Sequence, residues 1–504
     1  MKTPSVKVGL VALLTFALIG GVACTQKGKA EPTKVVQAGQ LQPAAQGAAP
    51  SGWNTPESLR GGLQLVSTYD SKGDNAWDLK AHPLVYFTSI GQGYAHRPSK
   101  TDKLPGIQVI DANSKETVAS ALFDLGGTAI RQPHGLGVSP DGQWAYIGYA
   151  YEDDKKVRQD VTLVVNARTL KLDKVLRQLS KVQGKDRSQD IHHVTAFTDF
   201  EGKDRVLLEY GFGANGGPHF LLDPKNDNKV VKAITYDDVM PMGHPYVSAD
   251  PTGQYLFVSM GSDWIREAPA HVASMAKLNL KDGSVTVIPE VGNHPIGTAA
   301  TADGKTLYVA DGHGSMIYKI DLATNQVVAR GSAGVAGPYG IRLSYDQTQL
   351  FIMGKGEGTH NIGGGVAVMN TKTMSVPNNI VSMPIETGGQ IIDHGILHPD
   401  PAKNEMWISS SGTFETIVLD TKTFTVKARI PVSYGGDTHS GAFVRYAADG
   451  AGTLLADHAT PGKEMWENMK KAAAAAAATP APTGTPAAPK ATTPAGSPTA
   501  APAR

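Results

Sequence analysis

The chain has 504 residues, 47 basic and 46 acidic side chains, and a single cysteine. This balanced charge, with no basic cluster, argues against nucleic acid as a partner. One cysteine excludes an intramolecular disulfide and any metal site built from several thiolates.

The N-terminus has the pattern of an export signal. Lys2 and Lys7 precede the apolar run 8–19, and small residues lead to Cys24. The run is too short for a stable membrane span, so residues 1–23 are predicted to be a signal peptide. The segment resembles a bacterial lipoprotein signal, which implies that Cys24 carries a lipid. The alternative is ordinary secretion. We therefore expect the protein to be located in the bacterial cell envelope, anchored by a lipid at the periplasmic or outer-membrane face.

Two low-complexity segments flank the central part of the chain. Residues 24–57 hold too few apolar side chains to build a core and are predicted to be a flexible, lipid-anchored linker. Residues 461–504 are predicted to be a short segment and a disordered tail rich in Ala, Pro and Thr. This tail includes seven alanines at 472–478, which we expect to form a semi-extended spacer. The folded domain is expected to span residues 58–460.

Seven short phrases recur along this central part at intervals of 45 to 59 residues. Each phrase is followed by several β-rich runs separated by turn signals such as Asp303-Gly304. Repeats of this length with several strands each are typical of a β-propeller. The sequence therefore predicts an all-β fold, a seven-bladed β-propeller. The phrases are centred on His134, His193, His244, His294, Tyr339, His394 and His439.

The two ends of the folded part are predicted to share one blade. Residues 440–446 have no evident successor strand in the C-terminal tail, whereas the N-terminal part offers runs at 84–90, 107–111 and 117–123. A closing blade built from both ends leaves no open sheet edge. The run 63–69 could instead begin an eighth blade.

Six of the seven phrases place a histidine at the start of the innermost strand, nearest the central channel. A single histidine there could simply pack against the next blade, but packing does not require the same titratable side chain around the whole axis. Neutral imidazole is the commonest metal ligand. A set with five or more nitrogens favours multinuclear copper over structural zinc, which needs four ligands. The expected metal ligands are His134, His192, His193, His244, His294, His394 and His439.

The phrases also carry a family resemblance within the YVTN-like propellers. The adjacent pair His192-His193, and Pro133-His134-Gly135 followed by Ser-Pro-Asp-Gly, resemble the propeller of nitrous oxide reductase. In that family seven inner-strand histidines hold a multinuclear copper cluster. Thiocyanate dehydrogenase is a similar copper propeller without the C-terminal cupredoxin domain of nitrous oxide reductase, and the Ala/Pro-rich tail here makes it the better expected match. The strand pattern is more distantly similar to the haem d1 propeller of cytochrome cd1 nitrite reductase. The chain has no Cys-x-x-Cys-His haem site.

Four further side chains are candidates for catalytic roles around the channel mouth. Arg131 stands three residues before His134, and Lys355 and Glu357 belong to a Gly-rich loop. His96 is placed in a loop expected on the same face. The Gly-rich loop of Lys355 and Glu357 follows a strand and opens no helix, so it is not a phosphate loop.

Carboxylates close to the predicted ligands are expected to fix the tautomers of their rings. They are Asp190, Asp393 and Asp437.

These features lead to one expected function and two alternatives. We expect a copper-dependent oxidoreductase acting on a small inorganic or sulfur-containing molecule, with a periplasmic cytochrome as its electron partner. The resemblance to thiocyanate dehydrogenase implies the same chemistry. A non-enzymatic propeller that binds haem d1 or a protein partner is the main alternative. A sugar-lactone hydrolase would need carboxylates at the axis, where this chain has imidazoles. The sequence leaves the substrate open, as well as whether the protein is an enzyme at all.

Overall fold

A computed structural model describes residues 35–37, 62–79, 84–88, 104–131, 134–179, 181–182, 185–186, 191–210, 218–234, 245–260, 274–356, 364–377, 381–382, 391–436 and 438–478. These residues form seven sheets of four to six strands and one short hairpin, Lys181–Val182 with Lys185–Asp186. Each sheet is one blade, so the prediction of an all-β, seven-bladed propeller is confirmed.

Five blades have four antiparallel strands in sequence order. We number them 2 to 6 along the chain. Blades 2 and 3 comprise Ile191–Thr198, Asp204–Tyr210, His219–Asp223 and Lys229–Ile234, then Pro245–Ala249, Tyr255–Met260, Ser274–Asn279 and Val285–Ile288. Blades 4 and 5 comprise Pro295–Ala300, Thr306–Asp311, Met316–Asp321 and Gln326–Ser332, then Pro338–Leu343, Gln349–Gly354, Gly365–Asn370 and Val381–Ser382. Blade 6 comprises Ile392–Leu397, Glu405–Ser410, Glu415–Asp420 and Val426–Pro431, with a 3-10 turn at Pro401–Lys403.

Burial changes from the inner to the outer strand of a blade. In blade 4 every residue of the inner strand Pro295–Ala300 is buried, whereas the outer strand Gln326–Ser332 alternates between exposed and half-buried residues. A strand enclosed on both faces is apolar throughout, and a strand with one wet face alternates. This gradient explains why the inner-strand phrases stand out in the sequence.

Blade 1 has a divided inner strand, Thr128–Arg131 and Leu136–Val138, followed by Trp144–Glu152, Arg158–Asn166 and Lys171–Gln178. Leu63–Thr68 pairs antiparallel with Lys171–Gln178 at the outer edge of this blade. It therefore does not begin an eighth blade.

Blade 7 is the predicted shared blade. Gly441–Tyr446 from the C-terminal part pairs antiparallel with Leu84–Thr88, which is followed outward by Gly106–Asp111 and Thr117–Leu122. Val35–Gln37 adds a parallel strand at the outer edge. The prediction that both chain ends close the ring in one blade is confirmed.

The expectation that no strand follows residues 440–446 is wrong. Gly452–Asp457 pairs with the channel-facing side of Gly441–Tyr446, inside the ring. Leu454, Leu455 and Ala456 of this extra strand are buried. Apolar side chains leave water when the strand fills the channel, and this favours the arrangement. Periodicity did not reveal it because blade 7 was already complete with four strands.

The prediction that the alanine run 472–478 forms a semi-extended spacer is also wrong. Lys463–Ala478 forms an α-helix, α1, whose Met465, Trp466 and Met469 are buried against the propeller core. Alanine has the highest helix propensity of all residues, and the buried apolar side chains anchor the first turns. No helix among the described residues is long and apolar enough to cross a membrane.

Candidate metal centre

The backbone of the inner strands brings the repeated histidines to the channel axis. Those that the structure describes stand at or near the starts of inner strands, and these strands begin at the same face of the ring. The glycine that follows His134 permits a close approach between blades 1 and 2. A Cβ at Gly135 would lie 2.6 Å from the Cα of His193 in the next blade. Any larger residue would push the two inner strands, and their histidines, apart.

Three histidines form the tightest group of possible ligand atoms. One ring nitrogen each of His193, His394 and His439 lies within 4.8 Å of the other two, and all three side chains are buried. Their ring centroids are 4.9 to 5.4 Å apart. These three come from blades 2, 6 and 7, which the sequence separates by up to 246 positions. A group of this size and spacing can hold one metal ion.

Two further predicted ligands lie beside this group. The His134 ring is 4.3 Å from that of His439 and 5.4 Å from that of His192, between centroids. The rings of His192 and His193 are 3.9 Å apart. Five of the seven predicted ligands are thus brought together on the axis, all from the contiguous arc of blades 6, 7, 1 and 2.

The buried rings favour their neutral form. Burial, reinforced by the neighbouring histidines, lowers the pKa of His193 and His394 well below the ordinary 6.5. Among the described residues, Nδ1 of His193 and both ring nitrogens of His394 have no hydrogen-bond partner. A buried imidazole nitrogen with no partner is costly, and neutral imidazole is the form that binds metals. The donor set therefore fits a metal ion.

Asp393 contacts a different ligand from the one expected. It precedes His394 in sequence, but its Oδ1 lies 3.3 Å from Nδ1 of His439 in the next blade. Successive residues of a strand point to opposite sides, which directs the Asp393 carboxylate away from its own neighbour. Ser411 donates a hydrogen bond to the other carboxylate oxygen. The role predicted for this carboxylate, orienting a ligand histidine, is therefore compatible with its position beside His439.

Lys355 and Tyr339 complete the polar surroundings. Lys355 is buried, with its Nζ 3.8 Å from Oδ1 of Asp393 and 3.8 Å from the centre of the Tyr339 ring. The Tyr339 hydroxyl lies 3.1 Å from Nε2 of both His192 and His193. The one phrase without a histidine therefore contributes a phenol that bridges two imidazoles.

Of the remaining predicted ligands, His294 is described by the structure and is not part of this group. The His294 ring lies against that of His313, with centroids 4.6 Å apart. His313 belongs to the loop between the second and third strands of the same blade. The backbone of Arg131 belongs to the inner strand of blade 1. The side chain of Arg131 lies outside the described residues, as do His244, His96, Glu357, Asp190 and Asp437.

One axial histidine was not among the predicted ligands. His458 follows the extra strand Gly452–Asp457, and its ring lies 4.9 Å from that of His193 and 5.0 Å from that of His394. The sequence carries a faint signal for it. Asp457-His458 repeats the dipeptide Asp393-His394 and likewise adjoins a short apolar run.

No family model and no curated protein matches the chain. Solved propeller structures are similar to it in overall arrangement. Dihydro-haem d1 dehydrogenase NirN is 14% identical, with 71% of this chain and 74% of that chain covered and a TM-score of 0.44. A protein of unknown function from Desulfotomaculum acetoxidans is 12% identical, with 70% and 98% covered and a TM-score of 0.46. A protein of Bacteroides fragilis, proposed to be a 6-phosphogluconolactonase, is 15% identical, with 69% and 96% covered and a TM-score of 0.44.

Proposed function

We propose that the protein is an extracytoplasmic oxidoreductase whose axial histidines hold copper and which acts on a small inorganic or sulfur-containing molecule. The observation that carries this proposal is the group formed by His193, His394 and His439, with ligand nitrogens within 4.8 Å of one another. The seven phrases resemble those of the copper propellers, thiocyanate dehydrogenase among them, and this resemblance supports the same assignment.

The composition of the donor set supports copper over other metals. His134 and His192 add two imidazoles to the three-nitrogen group, and the only cysteine of the chain is far away in sequence at position 24. Imidazole suits copper, zinc, iron and nickel, but structural zinc is satisfied by four ligands. Five converging rings are more than one such zinc ion needs. Two or more copper ions per chain are therefore expected.

Bound copper would supply a Lewis acid and an acceptor for single electrons. The chain's own residues would bind and orient the substrate. Buried Lys355 places a positive charge beside Asp393, within reach of the Tyr339 ring. The ligand rings are almost wholly buried, with His134 6% exposed, which favours compact substrates over large ones.

The electrons taken from the substrate need an external acceptor. A periplasmic cytochrome would serve, and a lipid on Cys24 would keep the protein close to membrane-held partners. The reverse direction, reduction of a substrate such as nitrous oxide, would use the same cytochrome as a donor.

Copper binding is tested with two matched variants of blade 6. His394→Asn removes a predicted ligand, whereas His398→Asn removes a buried histidine from the other end of the same strand, where Nδ1 accepts a hydrogen bond from the backbone of Asp400. Elemental analysis after copper loading should find at least two ions in wild type and in His398→Asn, and a large loss in His394→Asn. A folded wild-type protein that stays free of copper would refute the centre.

The reaction is tested by absorption and electron paramagnetic resonance of the copper-loaded protein. Thiocyanate, sulfide or nitrous oxide is added with an artificial redox partner. A change of the copper signals with turnover, lost in His394→Asn, supports the enzyme. Copper signals that respond to no substrate and no reductant support instead the non-enzymatic propeller that binds haem d1 or a protein partner.

A further inference from the structure

We propose that His458 is an additional ligand of the axial centre, carried into the channel by a C-terminal plug, and that metal binding fastens this plug in the ring. The plug is defined as residues 452–462. This inference rests on the copper centre proposed above, and it assigns a ligand that none of the repeated phrases contains.

The plug is a hairpin whose tip points at the histidines. Its strand Gly452–Asp457 starts beside the turn at Pro140, where the Leu454 amide donates to the Pro140 carbonyl at 2.9 Å. That turn joins Leu136–Val138 to Trp144–Glu152 in blade 1, at the face opposite the histidines. The chain reverses after Asp457, and the Gly462 amide returns to the Leu455 carbonyl at 2.8 Å. The plug therefore enters from the far face and ends at the metal group.

Polar contacts hold the tip of the plug to three different blades. The Ala196 amide of blade 2 donates to the Asp457 carboxylate at 3.1 Å. The Tyr246 hydroxyl of blade 3 donates to the His458 carbonyl at 3.0 Å. The His458 amide donates to the Gly441 carbonyl of blade 7 at 3.0 Å. These bonds fix the backbone of His458 beside the metal group, and burial on all sides restricts its ring.

The His458 ring itself is fully buried, yet neither of its nitrogens has a hydrogen-bond partner in the described part of the chain. An imidazole that loses its bonds to water and gains none is costly. Coordination of a metal would give one of these nitrogens a partner.

The position of the ring also matches a ligand. The three-nitrogen group has centroid separations of 5.1, 5.4 and 4.9 Å, and His458 lies 4.9 Å from His193 and 5.0 Å from His394. The distances from the His458 ring to the rings of His193 and His394 are therefore close to the distance between those two rings. The ring positions point to a fourth member of the set, although among the described residues the nitrogens that lie within 4.8 Å of one another are those of the other three alone.

A ligand on a separate segment couples metal binding to the seating of that segment. His458 reaches the ion only when the plug is in the channel, so copper must favour the seated plug. By reciprocity, a seated plug raises copper affinity by the same factor. One metal group would thus hold the plug and the inner strands of the blades together.

The test compares wild type with two plug variants, using full-length protein with and without copper. His458→Asn removes the imidazole. Thr460→Val is the control, because it removes the hydroxyl that accepts from the Ala249 amide at 3.1 Å and loosens the tip without removing the predicted ligand. Two quantities are measured: hydrogen exchange of residues 452–462, and copper affinity by competition with a chelator.

Copper should slow the exchange of residues 452–462 at least tenfold in wild type and in Thr460→Val, but not in His458→Asn. Copper affinity should fall at least about 100-fold in His458→Asn, since losing even an outer partner of a ligand costs about 10–100-fold. Unchanged affinity in His458→Asn, or no effect of copper on wild-type exchange, overturns the inference while the three-histidine centre stands. If His458→Asn does not fold, the wild-type exchange measurement alone decides. Wild type that binds no copper refutes the centre and the inference together.

Discussion

Gly340→Ala should weaken the metal group by moving one blade against another. A Cβ at Gly340 would lie 2.7 Å from the carbonyl oxygen of Asp393 and 3.0 Å from Nδ1 of His394, whereas ordinary contacts begin at 3.4 Å. The inner strand of blade 6 must therefore retreat by about 0.4–0.7 Å in a close-packed interior. Metal sites tolerate deviations of only about 0.2 Å in ligand distances. We expect copper affinity to fall at least about tenfold, equivalent to about 1.4 kcal/mol.

The matched control is Gly395→Ala, next to the same histidine. Its Cβ would meet Cε of Met353 and Sδ of Met406, each at 2.8 Å. Methionine side chains are flexible and can move aside, so the strand itself stays in place. Both variants should lose about 1–3 kcal/mol of stability in denaturant unfolding. Only Gly340→Ala should lose copper affinity in chelator competition. Equal copper affinity in the two variants would refute the argument that the spacing between blades sets the ligand geometry.

Three further outcomes are expected. Tyr339→Phe removes the hydroxyl between two histidine Nε2 atoms, and should weaken copper binding about 10–100-fold in chelator competition while costing about 1 kcal/mol of stability. Burial lowers the pKa of His193, His394 and His458 below 6.5, so the unfolded chain binds more protons than the folded chain below that pH. Metal-free protein must therefore lose stability on acidification, and a thermal midpoint that is unchanged from about pH 7 to about pH 5 would contradict this. Trp466→Ala removes the buried ring that docks α1 and should cost about 3 kcal/mol, seen as faster proteolysis within the helix, whereas an unchanged cleavage rate would show that the helix is held elsewhere.

The blades and the convergence of the histidines were predictable from sequence because both depend on local information. Each strand has its own apolar pattern and turn signals, and the repeated phrase fixes which end of the inner strand carries the histidine. The closing blade followed from counting strands at the two ends. These inferences need no knowledge of how distant segments meet.

The interior of the channel was not predictable in the same way. The repeats suggested a symmetric ring of ligands, but the plug occupies the channel beside blade 7, and the tight group comes from one side of the axis. Nothing in the period of the phrases shows that residues 452–457 turn inward. The alanine run was misjudged because composition alone does not separate a helix from a spacer; the docking of Trp466 and its neighbours decides this.

Closure of the ring also fixes an order of events during synthesis. Leu84–Thr88 acquires its inner partner, Gly441–Tyr446, only after about 350 further residues have been made. His439 belongs to that last blade, so a chain interrupted before it contains only two of the three grouped ligands. A metal that needs all three histidines would therefore bind only after His439 has been made. The three-histidine group is complete only in molecules whose two ends have already met in the closing blade.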